Sequence, residues 1–110
     1  MMTKIVFHKQ GEDFVRIECE GHTGYACSGE DIVCAAISAL LQGAALGVLK
    51  VAGVKAEYRV NEEKGSLLLA LPKNVGEKQR CDCNVILKTL FLSVSDLQKG
   101  YSEYIEVEVK

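Results

Sequence analysis

The 110-residue sequence predicts one α+β domain over residues 1–110, a two-layer fold with elements in the order ββαββαβ. The sheet is expected to have five strands, to be largely antiparallel, and to carry two helices packed on one face. Three observations lead there. Short segments alternate apolar and polar residues, as half-buried strands do. Two longer segments lack that alternation and have helical spacing or an uncharged run. Glycines and the one proline fall between these segments.

Residues 3–8 place Ile5 and Phe7 on one face and Lys4 and His8 on the other. Residues 14–20 repeat the pattern, with Val15, Ile17 and Cys19 opposite Arg16, Glu18 and Glu20. Lys9 to Asp13, with Gly11 inside, reads as a hairpin connection. Gly21 to Glu30 holds three glycines and no apolar period, and reads as a loop. A helix is then expected from about Asp31 to about Val51. Either Ser28 or Asp31 can cap it, and Gly53 is its stop. Ala56, Tyr58 and Val60 mark a third strand, and Asn61 to Gly65 a turn. The continuous apolar run Leu67–Leu71 marks a fourth strand with an interior position in the sheet, ended by Pro72. Ile86, Leu90, Val94 and Leu97 give residues 76–99 a helical period before Gly100. Ile105, Val107 and Val109 alternate with Glu106, Glu108 and Lys110 in a fifth strand.

Composition narrows the function. Net charge is −2 and no basic run is present, which argues against a nucleic-acid surface. Met1-Met2-Thr3-Lys4 runs straight into an alternating segment, without an apolar leader, so a cytoplasmic protein is expected. Ile32 to Leu49 is uncharged and long enough to be considered as a membrane span. Its Ala and Gly content, with Ser38 and Gln42, favours a helix buried on most sides, in the core or partly in a dimer interface. Gly43 and Gly47, four apart, suit close packing on the second helix or on a partner subunit. Five cysteines without an export signal imply reduced thiols.

Cys34 stands near the start of the first helix, where unpaired N–H groups and the helix dipole favour a thiolate. His22 stands where a strand ends, across the glycine-rich loop. If the loop folds back, thiol and imidazole make the pair that acyl transfer needs. First-turn N–H groups are also candidates for an oxyanion site. Set against this, a cysteine is often a small buried hydrophobe, Asp31 a helix cap, and Ser38 a hydroxyl bonded back to its own helix. Spacing alone does not choose between these readings.

A resemblance adds to that choice. Gly21-His22-Thr23-Gly24-Tyr25-Ala26, followed by Gly29-Glu30-Asp31-Ile32-Val33-Cys34-Ala35-Ala36-Ile37-Ser38-Ala39-Leu40, resembles the ribosomal-processing cysteine proteases, a family of small bacterial proteins. The match is dense over residues 21–42 and looser across the rest of the chain. It implies a Cys/His dyad that removes a short N-terminal extension from a large-subunit ribosomal protein before ribosome assembly. Cys34 is then the nucleophile and His22 the general base, with Gly21, Asp31 and Ser38 at supporting positions. The resemblance also implies cleavage after paired aromatic residues, an apolar pocket beside the thiolate, a homodimer, and no cofactor.

Two rival classes remain at this stage. One is a non-enzymatic ribosome-associated or assembly module, in which Cys34 is an ordinary thiol. The other is a redox or zinc protein using Cys19, His22, Cys27 and Cys34, which would require the loop to wrap one ion. No metal is expected, because Cys19 lies on the inward strand face. Cys81-Asp82-Cys83 has the wrong spacing for zinc or a thioredoxin-type motif, and reads as a solvated helix start. Glu62/Glu63 and Glu106/Glu108 read as solvated turn and edge residues.

Overall fold

The computed structural model describes residues 3–21, 28–61 and 63–110, with the backbone alone for 28–31. Its elements run β1 (Thr3–Gln10), β2 (Asp13–Glu20), α1 (Ser28–Leu46), β3 (Glu57–Asn61), β4 (Ser66–Ala70), α2 (Glu77–Gly100) and β5 (Ile105–Val109). A π-helical turn over Gly47–Val51 extends α1. The expected order is observed.

The five strands form one sheet in the order β3-β4-β2-β1-β5. Every pairing is antiparallel except β1 with β5, which is parallel and sets Thr3 opposite Ile105. β4 is an interior strand, as its apolar run anticipates. The inner sheet face carries Ile5, Phe7, Ile17, Cys19, Leu67, Leu69 and Ile105. They share one core with Val33, Ile37, Leu41 and Val48 from the α1 segment and Cys83, Leu87, Leu90 and Val94 from α2.

Three expectations need correction. The alternation in β2 breaks at a bulge. Lys9 pairs with Phe14 and His8 with Arg16, which leaves Val15 as the extra residue. Phe14 therefore enters the core at 3% exposure, while Val15 is half-buried. Cys83 is not part of a solvated helix start: it is fully buried, at the head of the stripe that Leu87, Leu90 and Val94 continue, while Cys81 is exposed. α1 is not buried on most sides. Over Ile32–Val51 the helix is long and apolar enough to cross a membrane, yet its inner side is core and its outer side exposes Ile32, Leu46 and Val51.

The two helices meet closely at Gly47. A methyl group there would lie 3.2 Å from Ile86 Cδ1, so this glycine serves helix packing. Gly43 has no neighbour within 4 Å of the same construction and faces outward. At the end of the sheet holding the β1–β2 hairpin, Phe7, Phe14 and Phe91 form a three-ring cluster with centroids 5.1–5.4 Å apart. Asn84 is buried beside it. Its Oδ1 accepts the Phe14 N–H at 2.9 Å, and its Nδ2 donates to the Arg80 carbonyl at 3.1 Å.

Candidate active site

The opposite end of the sheet is built differently. β2 stops at Gly21, whose φ of +95° turns the chain out of the strand in a conformation that side chains resist. His22, the expected base, follows directly and lies outside the described residues, as does Cys27. The chain returns as α1 at Ser28. Asp31 is thus in the first turn, and its side chain also lies outside the description.

The Ser28 start is one of the two expected, and it puts Cys34 in the second turn. A helix dipole acts mainly within the first turn. At that depth the helix terminus would act only weakly on a thiolate at Cys34, and a neighbouring imidazole would be the stronger influence. The first-turn N–H groups are correspondingly further from the sulfur.

Cys34 and Ser38 lie one helical turn apart, both half-buried, and both line a cavity of about 300 Å³. Ile37 and Leu41 extend its helical wall. Cys19 and Thr3 come from the inner sheet face, and Asn61, Gly65 and Ser66 from the β3–β4 turn. Apolar and polar groups thus share a groove over a cysteine, as a peptide-binding site requires.

Cys19 is the second thiol at this cavity. Burial, negative charge at Cys34, and Glu20 together push its pKa up to about 12. It stays protonated at neutral pH and acts as a small apolar wall, not as a competing nucleophile. The zinc reading needs Cys19 as a thiolate beside His22 and Cys27, two residues outside the description. Among the described residues, no group of three His, Cys, Asp or Glu side chains is placed to hold a metal ion.

Several charged groups pair on the strands, away from this cavity. Lys4 pairs with Glu108 at 3.1 Å, which holds the Lys4 ammonium up and the Glu108 carboxyl down in pKa. Glu106 and Glu108 are therefore partnered across the β1–β5 pair, not simply solvated. Glu18 accepts from Arg16 at 2.6 Å, and this hydrogen bond is the main cause of its lowered pKa. His8 sits 3.4 Å from Glu18.

Of the five residues singled out in the sequence, the structure brings Cys34 and Ser38 together at one cavity and places Gly21 at the end of the neighbouring strand. Thr3 also lines that cavity, and sequence reasoning missed it. Its place on the same face as Ile5 and Phe7 was the available signal.

Comparison with known proteins accords with this geometry. The family model described as cysteine protease Prp matches residues 2–106. The ribosomal processing cysteine protease Prp of Bacillus subtilis (strain 168) is 22% identical over 107 residues, covering 97% of this chain and 96% of that protein. An essential ribosomal processing protease Prp from S. aureus, solved with a substrate peptide, superposes with a TM-score of 0.86 at 20% identity, covering 99% of this chain and 100% of that one. The same S. aureus protease with a covalently linked product peptide gives a TM-score of 0.83 at 20% identity, with the same coverage.

Proposed function

The chain belongs to the cysteine protease Prp family, and from that premise we propose that it removes a short N-terminal extension from a large-subunit ribosomal protein, with Cys34 as nucleophile and His22 as general base. The observation that carries this is the placement of Cys34 and Ser38, one turn apart, along a cavity walled by both the sheet and α1. His22 takes the thiol proton, and the Cys34 sulfur attacks the peptide carbonyl. His22 returns the proton to the leaving amine as the C–N bond breaks. Water, deprotonated by His22, then hydrolyses the thioester and frees the thiol. Neither metal nor cofactor enters these steps.

Gly21 gives the chain its exit from β2 immediately before the base. Ser38 supplies a hydroxyl within a turn of the sulfur, and Asp31 is the orienting candidate for His22. Ile37, Leu41 and Leu67 make the apolar part of the cavity, which suits the aromatic side chains expected next to the cleaved bond.

The decisive test is incubation with the ribosomal protein bearing its extension. Wild-type protein should shorten it, and Cys34→Ala should leave it intact. No cleavage by wild type, or equal cleavage by Cys34→Ala, would sink the reading. Alkylation of Cys34 by iodoacetamide should show a pKa below about 8.5, and an ordinary profile would favour a non-enzymatic assembly module.

The active species is a homodimer formed through the outer side of α1, where Ile32, Leu46 and Val51 are 64%, 58% and 84% exposed. Light scattering should return twice the chain mass, and Leu46→Glu should halve it. The enzyme works in the cytoplasm, where thiols stay reduced.

A further inference from the structure

Thr3 is a polar residue at the cavity with no role in the steps above. Its side chain is almost fully buried, at 4% exposure. Its backbone N–H donates to the Tyr104 carbonyl at 2.8 Å. Its hydroxyl, in contrast, has no hydrogen-bond partner among the described residues. Leaving a buried hydroxyl unmatched is unfavourable, and valine would fill the same strand position without that cost. The described residues around it therefore give no reason for a threonine here.

The position supplies one. Thr3 lines the same cavity as Cys34 and Ser38. Lys4 pairs with Glu20, so the antiparallel register carries Thr3 to the level of Gly21, the residue before His22. A peptide whose scissile carbonyl lies over the Cys34 sulfur enters the cavity that Thr3 also lines. Peptide N–H and C=O groups entering the groove need partners, and a hydroxyl can both donate and accept.

We propose that the Thr3 hydroxyl is a substrate-binding group, which hydrogen-bonds the main chain of the peptide held in the Cys34 cavity. It adds a residue from β1 to a cavity otherwise lined from β2, α1 and the β3–β4 hairpin. The proposal rests on the protease reading for the identity of the peptide.

The test measures binding and cleavage separately. A fluorescein-labelled peptide spanning the N-terminal extension and its cleavage junction is titrated into Cys34→Ala protein, alone and combined with Thr3→Val or Thr3→Ser. Thr3→Val should weaken binding about tenfold, the loss of one hydrogen bond. Thr3→Ser should stay within about twofold of the parent, and Thr3→Val should not lower Tm. If Thr3→Val fails to fold, Thr3→Ala takes its place. Equal affinities in all variants, equal losses in Val and Ser, or no peptide binding at all would overturn the proposal. Cleavage is read in parallel with Cys34 intact. Cleavage without dependence on Thr3 overturns this proposal alone. Thr3-dependent binding without cleavage overturns the protease reading alone.

Discussion

The two ends of the inner layer are built on opposite terms. At the hairpin end, three phenylalanine rings close the space between sheet and α2, and the buried polar side chain, Asn84, uses both its acceptor and its donor. At the Cys34 end, the small side chains Thr3, Cys19, Cys34 and Ser38 stand among Ile37, Leu41 and Leu67, and the space between them stays open. The first end is packed like a crystal and polar groups are matched. The second leaves volume and hydrogen-bonding capacity for something outside the chain. Stability and reactivity are therefore separated along the strands, by about 15 Å at four to five residues of strand rise.

That separation can be broken by substitution. The largest effect expected is on chemistry. Cys34→Ala should cost on the order of 10⁴-fold or more in cleavage rate with little change in Tm, measured by peptide assay and thermal melt. Phe7→Ala should do the reverse. It removes a ring shared by two aromatic contacts and should cost about 3–5 kcal/mol of stability, read by urea denaturation, with any surviving folded fraction still active. Asn84→Ala should follow at about 1–3 kcal/mol, because the Phe14 N–H loses its acceptor in the interior. If either hairpin-end variant lost activity while fully folded, the two ends would be coupled and the comparison would fail.

The smallest effect concerns Cys19, which belongs to the site end yet acts through packing. Its thiol is held protonated up to about pH 12 in the fold, whereas an unfolded thiol ionises near pH 8.5. Between those values the unfolded chain binds fewer protons, so stability falls as pH rises, and it is undiminished below pH 8.5. Melting curves from pH 8 to 11 should show this slope, and Cys19→Ala should flatten it. Cys34→Ala should flatten it in part, since charge at Cys34 is the second cause of the shift.

Much of the fold could be read before the structure. Element order followed from periodicity, because each strand buries one face and each helix one stripe. What escaped was set by pairing. The bulge that exchanges Val15 for Phe14 depends on how β2 meets β1, which no property of β2 alone encodes. The parallel β1–β5 pair and the burial of Cys83 likewise arise only when distant segments meet. At the site, Cys34 and Ser38 were legible as a helical pair and through the resemblance. Thr3 was not, because a threonine at the start of a strand is unremarkable until its neighbours are known. Cys34's place within the first two turns of α1 was legible, though Ser28 and Asp31 are equally good caps and left the exact start open. His22 and the side chain of Asp31 lie outside the described residues.

The parallel pairing of β1 with β5 also sets a schedule. The Thr3 amide is anchored by the Tyr104 carbonyl, and the two residues are separated by about a hundred positions, a long-range contact of the kind that forms slowly. During synthesis, β1 emerges first and must wait, with one flank unpaired, until the last strand leaves the ribosome. The Thr3 corner of the cavity is therefore anchored only once β5 has been made. A chain that already carries α1 and Cys34 but not yet β5 lacks that anchor.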